Sequence, residues 1–241
     1  MPDQPLISII TPSFNHGQFI EQTIQSALGQ DYPNIEHIII DGGSTDATPD
    51  ILKKYEDRIA YWVSEPDIGI SDAFNKGIEA SRGDYIQFLN SDDWLINDSI
   101  ISKVIESIKQ NDYPLLLYGN TIVVNRQNGQ TLWSMGRKFS LGSFLLKTII
   151  PHQALFTRKD YFERYGYFDT NLKHSMDYEM LLRSVPDLNP VWVNYYIVKM
   201  REGGISRQDK ADAMFTNARV QIRHGVRSPF MAYLLSLIFI A

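Results

Sequence analysis

Short apolar runs alternate with helical patterns through the first hundred residues of the chain. Four runs rich in β-branched residues are typical of strands, at 6–11, 35–40, 59–63 and 85–89. Between them, apolar residues recur at helical spacing in segments 18–28, 50–55 and 71–80. Strands that are apolar almost throughout indicate a parallel sheet covered by helices on both faces. The pattern therefore predicts an α/β fold of Rossmann-like type, with a mainly parallel central sheet flanked by helices.

The second half of the chain has a looser pattern. Segments 115–124 and 131–135 predict a hairpin, because the pair Asn128 and Gly129 between them is a turn signal. Further strands are expected at 191–200 and from His152 onward, and helices at 100–108, 139–148, 159–165, 177–185 and 209–224. No internal repeat or long linker interrupts the sequence. We therefore expect residues 1–241 to form a single domain.

Composition and charge exclude several classes of protein. A chain that is 44% hydrophobic and 21% charged is neither disordered nor a simple coiled coil. A formal net charge of −5 argues against a nucleic-acid partner bound through a basic surface. The absence of cysteine excludes disulfides, thiolate nucleophiles and cysteine-based zinc or iron–sulfur sites. The N-terminal segment lacks the basic region of a signal peptide, so we expect a cytoplasmic protein.

Polar clusters follow three of the predicted strands at their carboxyl ends. They are Thr11-Pro12-Ser13-Phe14-Asn15, Asp41-Gly42-Gly43-Ser44-Thr45-Asp46 and Asn90-Ser91-Asp92-Asp93. Parallel sheets bind ligands beyond the carboxyl ends of their strands, so we expect the clusters to meet at one edge. The first strand is followed neither by a glycine-rich dinucleotide fingerprint nor by a Walker lysine motif. This argues against a Rossmann dehydrogenase and against a P-loop enzyme.

Asp92 and Asp93 are the strongest electrostatic feature of these clusters. Adjacent carboxylates at the end of a buried strand repel each other unless a cation or hydrogen-bond donors compensate them. A hard divalent ion such as Mg²⁺ or Mn²⁺, shared with substrate phosphates, would do so. An Asx turn or a cap of the following helix is the alternative that the residues leave open.

A polar face is expected on the helix that begins near Ser71. Asp72, Asn75 and Lys76 stand at i, i+3 and i+4, so they share one side of that helix. An acceptor, an amide and a cation together suit the polar groups of a nucleotide sugar. A plain surface ion pair between Asp72 and Lys76 is the alternative.

Four motifs occur in the order and at the spacing of one known family. They are residues 9–15 (Ile-Ile-Thr-Pro-Ser-Phe-Asn), 41–46, 69–77 (Gly-Ile-Ser-Asp-Ala-Phe-Asn-Lys-Gly) and 90–93. In these motifs, and more weakly at 151–153 and 176–183, the chain resembles inverting family 2 glycosyltransferases of the GT-A fold. The resemblance implies transfer of a sugar from a nucleotide sugar, with UDP expected, to a saccharide hydroxyl in cell-surface polysaccharide synthesis. It also implies a nucleotide-sugar-binding half at 1–95 and an acceptor half at 96–227.

The resemblance assigns the nucleoside side of the site. Thr11 and Asp41 correspond to family residues that hold the nucleobase, in a pocket shaped by Pro12 and Asn15. Asp72 matches a position near the base and the donor sugar.

The resemblance likewise assigns the diphosphate and acceptor sides. Asp92 corresponds to a residue near the ribose or the sugar, and Asp93 to the ligand of a Mn²⁺ or Mg²⁺ ion at the diphosphate. Ser91 stands where the family usually has the first aspartate of a D-x-D motif, so the metal is assigned to Asp93. His152 matches the acceptor side, and Arg201 lies in a glycine-containing loop expected to close on the diphosphate. A core histidine and a simple turn are the alternatives for these two.

The catalytic base is expected on the helix at 177–185, in a segment that resembles the family segment carrying the base. Asp177 and Glu179 lie about 160° apart on a helix, so only one of them can face the site. Glu179 has Arg183 at i+4, which predicts an ordinary surface pair. Asp177 lies in the first turn, where the helix dipole favours the ionised form that a base requires. Asp177 is therefore the expected base, with plain charge compensation at the helix end as the alternative.

Charge is unevenly distributed toward the C-terminus. Residues 201–241 contain six basic and three acidic side chains, and Arg219, Arg223 and Arg227 recur at i, i+4 and i+8. Residues 228–241 carry no charge and are too few to span a bilayer alone. A basic stripe before an apolar helix predicts contact with the cytoplasmic face of an inner membrane, and a lipid-linked, polyprenyl-diphosphate type of acceptor. Docking of this helix on the core, or on a second subunit in a homodimer, is the alternative.

Two other functions stay open on the sequence alone. A non-catalytic nucleotide-sugar-binding module should have lost Asp93 or Asp177, and both are present. A sugar nucleotidyltransferase should carry a glycine-rich, basic triphosphate loop after the first strand, and residues 11–15 contain neither glycine nor a basic residue.

Overall fold

One mixed sheet organises the protein, whose computed structural model describes residues 1–146, 149–203 and 210–232. The strands among these residues are β1 (Ile7–Ser13), β2 (Ile35–Asp41), β3 (Tyr61–Ser64), β4 (Tyr85–Phe88), β5 (Trp94–Leu95), β6 (Leu116–Val124), β7 (Thr131–Met135), β8 (Leu155–Arg158) and β9 (Val191–Arg201). The helices are α1 (Ile20–Leu28), α2 (Thr48–Lys54), α3 (Ile70–Ala80), α4 (Ile100–Gln110), α5 (Leu141–Leu146), α6 (Asp160–Tyr165), α7 (Met176–Leu182) and α8 (Lys210–Arg223). Two 3₁₀ turns lie at His152–Ala154 and Val185–Asp187.

The sheet order is β3-β2-β1-β4-β8-β6-β9-β5, with β7 paired to β6. β1 to β4 are mutually parallel, and β6 and β9 run in the same direction as these four. β5, β7 and β8 run the opposite way. The expected α/β fold with a mainly parallel central sheet is therefore confirmed. The chain moves outward from β1 to β3 and then returns to place β4 on the other side of β1, so the order of the strands reverses between β1 and β4.

Helices cover both faces of the sheet because its inner strands are apolar on both sides. Every residue of β1 is buried. Ile10 packs with Phe74 of α3 and Tyr178 of α7 on one face, whereas Ile9 packs with Val104 of α4 on the other. A smaller cluster on that second face joins α1 and α2 to β2.

Gly77 allows α3 to approach β1 closely. A Cβ atom at this position would lie 2.3 Å from Cγ2 of Ile10, well inside van der Waals contact. The close approach fixes α3 against the parallel strands and brings its N-terminal turn, with Asp72, to the edge where those strands end.

The sequence predicts most elements to within a few residues. The strand expected from His152 begins at Leu155, after the 3₁₀ turn, and the two-residue strand β5 was not predicted. Three parts of the predicted elements lie outside the described residues. They are residues 147–148 of one predicted helix, residue 209 of another, and the C-terminal apolar segment from residue 233 on. Within the described part of the chain, no helix is long and apolar enough to cross a membrane.

Candidate active site

The loops after β1 and β2 are joined by hydrogen bonds at the carboxyl edge of the sheet. Asn15 has a positive φ of 53°, which aims its backbone N–H at Ser44 Oγ, 2.7 Å away. Its side-chain Oδ1 accepts from the backbone N–H of Thr45 at 2.9 Å. Ser44 in turn donates its backbone N–H to Asp41 Oδ2 at 2.9 Å. Two of the three polar clusters are therefore physically connected.

His16 connects the third cluster. Its Nδ1 contacts the hydroxyl of Ser91, across the point where the strand order reverses between β1 and β4. Crevices of this kind are where open α/β sheets bind ligands. His16 was not predicted, because one histidine in a loop carries no pattern of its own.

The nucleoside side is built around buried groups. The Asp41 carboxylate is fully buried and accepts from the hydroxyl of Ser64 at 2.6 Å. Thr11 is also fully buried, and its Oγ1 lies 2.9 Å from Nε2 of His37. Burial lowers the pKa of His37 to about 3, so this ring is neutral. Pro12 is a buried residue of β1 beside these groups. The roles of Thr11, Pro12, Asn15 and Asp41 in binding a nucleobase stay predictions.

The polar face of α3 contains the expected residues, with specific partners. Lys76 Nζ lies 2.8 Å from Glu65 Oε1 and 3.5 Å from Asp72 Oδ2. Asn75 exchanges two hydrogen bonds with the backbone of Phe168, at 3.0 and 2.9 Å. The Asn75 amide thus holds a distant loop, and a contact of this face with a donor sugar stays a prediction.

Asp93 is the most deeply buried carboxylate of the third cluster, with 1% of its surface exposed. It accepts from the backbone N–H of Arg201 at 3.1 Å and from the amide of Asn90 at 3.3 Å. Burial, and then the charge of Asp92, raises the pKa of Asp93 well above its ordinary value. These few donors leave a carboxylate that an added cation would stabilise in its ionised form.

Two arginines contact Asp92, the residue next to Asp93. Arg126 Nη1 lies 2.7 Å from Asp92 Oδ2, and an Nη1 donor of Arg201 contacts the backbone carbonyl of Asp92. Both guanidinium groups stack over the ring of Phe19, at 4.5 and 4.6 Å from its centroid. Burial lowers the pKa of Arg201, an effect that the charges of Asp92 and Asp93 oppose. Arg126 was missed because it lies in a segment that the sequence marks only as a turn.

The oxygen ligands at this centre fit a divalent cation whose remaining ligands come from the phosphates of a substrate. Asp92 and Asp93 supply carboxylate oxygens, and Asn90 Oδ1 is buried without a hydrogen-bond partner among the described residues. In residues 1–146, 149–203 and 210–232, no group of three or more histidines or carboxylates is placed to hold a metal. Mg²⁺-type ions are commonly held by one or two carboxylates, with substrate phosphates completing the shell. The residue types present match that arrangement.

Asp177 lies in the first turn of α7, with a quarter of its side chain exposed. Its Oδ2 is 3.5 Å from Nδ1 of His152. Burial acts to raise the pKa of Asp177, but the contact with His152 and the backbone N–H of Tyr178 prevail, and the pKa lies below its ordinary value. Asp177 is thus held as a partly exposed carboxylate whose ionised form is favoured.

Glu179 corrects one expectation, because its pair with Arg183 is not on the surface. The Glu179 side chain is 1% exposed and receives Nη2 of Arg183 at 2.5 Å and Nε2 of His224 at 2.8 Å. His224 lies just after α8, so the carboxylate joins two helices. The prediction of an ordinary surface pair is wrong, because the i+4 rule cannot show that another segment covers the helix face.

The 3₁₀ turn at His152–Ala154 lies next to both the expected base and the expected metal ligand. His152 Nδ1 is 3.5 Å from Asp177 Oδ2, while the next side chain, Gln153, acts to lower the pKa of Asp93 and donates its amide to Met200 Sδ at 2.8 Å. Adjacent Cα atoms are about 3.8 Å apart, so neighbouring points of one backbone turn act on the two carboxylates. A carboxylate near a buried acidic centre that fits a cation is suited to group transfer onto a hydroxyl.

Comparison with known proteins agrees with this geometry. The model of the family "Glycosyl transferase family 2" matches residues 8–187. An uncharacterized glycosyltransferase of Mycobacterium tuberculosis is 32% identical over 224 residues, covering 91% of this chain and 84% of its own. A PGL/p-HBAD biosynthesis glycosyltransferase of Mycobacterium bovis is 27% identical over 229 residues, covering 92% of this chain and 88% of its own.

Solved structures show the same fold. S. aureus TarS in complex with UDP-GlcNAc superimposes with a TM-score of 0.72 at 17% identity, covering 98% of this chain and 71% of that one. The mannosyltransferase PcManGT from Pyrobaculum calidifontis, in complex with GDP-Man and Mn²⁺, gives 0.69 at 18% identity, covering 96% and 68%. The chain is therefore a glycosyltransferase of the GT-A fold and belongs to glycosyl transferase family 2.

Proposed function

We propose that this glycosyltransferase moves a sugar, with inversion, from a nucleoside-diphosphate sugar to a hydroxyl of a saccharide acceptor, with a divalent metal as cofactor. The observation that carries the proposal is the contact of adjacent residues His152 and Gln153 with Asp177 and Asp93. UDP is the proposed nucleotide, in keeping with the UDP-GlcNAc complex of TarS, and the GDP-Man complex of PcManGT makes GDP the alternative to test. Residues 1–95 are the proposed donor half and 96–227 the acceptor half.

In the proposed reaction, Asp177 removes the proton from the acceptor hydroxyl as that oxygen bonds to the anomeric carbon. The bond from this carbon to the diphosphate oxygen breaks on the opposite face, and the electron pair leaves with the nucleoside diphosphate. Arg126 and Arg201 are cations beside this leaving group, and they are held by Asp92 and Phe19. Asp93 would hold the metal ion, which would supply positive charge to stabilise the departing diphosphate.

The base assignment is tested by the variant Asp177→Asn. The amide is nearly isosteric but cannot accept a proton, so kcat should fall by about 10²- to 10⁴-fold while donor binding persists. Asp187→Asn is the matched control, since that carboxylate is exposed and its partners are the exposed guanidinium of Arg164 at 3.3 Å and the hydroxyl of Tyr165 at 3.4 Å. Transfer at a near-normal rate by Asp177→Asn, with the donor bound, would remove Asp177 from the mechanism.

The donor and the metal are tested together by thermal unfolding. UDP, GDP and their sugar derivatives are added with and without Mn²⁺, because a ligand that binds only the folded state raises Tm. We expect one nucleotide to stabilise the protein with the metal and less without it. Asp93→Asn should abolish the metal-dependent part, whereas Asp187→Asn should keep it. Equal stabilisation with and without metal would contradict the role of Asp93.

The proposed setting is the cytoplasmic face of a membrane, with a lipid-linked acceptor. Part of the basic stripe is engaged within the protein, since Arg223 lies 2.7 Å from Asp169 and Arg219 lies 3.5 Å from Asp212. The proposal therefore depends on Arg227 and on the exposed side chain of Phe230, which is 75% accessible. Binding to anionic but not to neutral liposomes is expected, and failure to bind either would end this part of the proposal.

A further inference from the structure

The imidazole of His152 is held in a fixed place beside Asp177. It follows Pro151 in the 3₁₀ turn, and its ring meets the edge of Phe74 at a centroid distance of 6.3 Å and an angle of 64°. From this place its Nδ1 lies 3.5 Å from Asp177 Oδ2. Nδ1 is therefore the ring nitrogen that lies beside the carboxylate.

The second ring nitrogen restricts the tautomer. Nε2 of His152 is buried and has no hydrogen-bond partner among the described residues. A hydrogen on Nε2 would be buried without an acceptor, which is costly. The tautomer with its hydrogen on Nδ1 avoids this cost and can donate to Asp177. Because Nε2 is buried, it is also out of reach of an acceptor hydroxyl, and the ring is not placed to be the base itself.

We propose that His152 is a positioning residue, whose Nδ1–H holds Oδ2 of Asp177 and leaves Oδ1 to receive the acceptor's proton. This inference rests on the proposed function, in which Asp177 is the base. It gives His152 a role distinct from direct contact with the acceptor.

The charged groups around Asp177 indicate how its contact with His152 would affect the pH dependence of activity. Glu179 lies on another side of α7, where Arg183 and His224 bind it. Asp93 is influenced by Gln153, the residue that follows His152. Burial is the largest influence on the pKa of Asp177 and raises it, and His152 opposes that effect. Without the Nδ1–H donor the pKa of Asp177 should rise, so the acidic limb of the activity profile should move to higher pH.

The test compares His152→Leu with His152→Asn in the full chain. Asn carries its Nδ2 on Cγ, as histidine carries Nδ1, and can donate from nearly the same place, whereas Leu cannot donate. We expect kcat of His152→Leu to fall by about 10- to 100-fold, since small misplacements of a reacting group cost this much. Its acidic limb should shift upward in pH, while KM for the donor changes little. His152→Asn should recover most of kcat and the position of the limb.

The outcomes separate this inference from the proposed function. Near-normal transfer by Asp177→Asn would overturn both. An inactive Asp177→Asn together with a His152→Leu variant of normal kcat and unshifted limb would overturn the role of His152 alone. The same holds if His152→Leu loses activity but Asn restores neither the rate nor the limb, because that pattern indicates only a structural role.

A spectroscopic measurement tests the tautomer directly in the wild-type protein. ¹⁵N chemical shifts of the ring, assigned by the signal missing in His152→Asn, distinguish the two neutral tautomers. We expect the Nδ1–H form of His152 in the wild-type protein. A predominant Nε2–H form would refute the proposed hydrogen bond.

Discussion

Neutralising Glu179 should destabilise the protein although it leaves the expected base untouched. The Glu179 carboxylate is 1% exposed, and Arg183 binds it through Nε at 3.0 Å and Nη2 at 2.5 Å. His224 Nε2 contacts the same carboxylate at 2.8 Å. The variant Glu179→Gln keeps the shape of the side chain but removes the negative charge that both neighbours face.

The size of the effect follows from burial. Breaking a buried ion pair by removing one partner costs about 3–5 kcal/mol, because the other charge is left uncompensated. For a chain of 241 residues, the entropy of unfolding converts 1 kcal/mol into about 2 °C of Tm. Glu179→Gln should therefore lower Tm by about 6–10 °C. An exposed pair contributes about 0–1 kcal/mol, so Asp187→Asn, whose Arg164 partner is also exposed, should change Tm by about 2 °C at most.

Urea unfolding at pH 7.5 measures both variants against the wild type, and the slopes with denaturant show whether the unfolded states are comparable. If Glu179→Gln loses no more free energy of unfolding than Asp187→Asn, the argument from burial fails. The pair would then behave as the surface pair that the i+4 spacing alone predicts.

Two further predictions concern the core beneath the site. The pKa of His37 is lowered to about 3 by burial, so between there and about pH 6.5 only the unfolded chain is protonated at this residue. The contribution of His37 to the free energy of unfolding should therefore fall by about 1.4 kcal/mol for each pH unit below about 6.5. His37→Gln should lose less stability than the wild type between pH 7.5 and 5.5, and equal losses would contradict the lowered pKa of His37. Gly77→Ala should cost about 1–3 kcal/mol, because its Cβ would lie 2.3 Å from Ile10 Cγ2. Gly142→Ala in α5, where no atom lies within 4 Å of the added Cβ, should be neutral or slightly stabilising in the same denaturation assay.

The parallel strands and their polar ends could be predicted from the sequence because one physical pattern determines both. Strands buried on two faces must be apolar throughout, so the first polar residue after each marks the binding edge. Asp41, Asp92 and Asp93 were predicted as site residues in this way, and the hydrogen bonds through Asn15 and Ser44 show that two of these strand ends are joined.

Other parts of the site could not be predicted, because they depend on contacts between distant segments. Arg126 reaches Asp92 across 34 positions, and His224 reaches Glu179 across 45. Neither contact leaves a periodic pattern in the sequence, since Arg126 follows the end of β6 and His224 follows the end of α8. The i+4 rule identified the partner Arg183 correctly, but it contains no information about the segment that covers the pair.

The place of the His152–Ala154 turn follows from one strand that runs against its neighbours. β8 pairs antiparallel with β4, with Phe156 opposite Gln87, so β8 starts where β4 ends. The turn at His152–Ala154 comes immediately before β8 and is therefore delivered to the carboxyl edge of the parallel strands. Gln87 fixes it there by donating its amide to the backbone carbonyl of Gln153 at 2.7 Å. A parallel strand in this place would have put its preceding turn at the opposite edge, away from Asp93. The reversed strand is thus the reason that a histidine from the second half of the chain can lie beside the expected base at the carboxyl edge of the parallel strands.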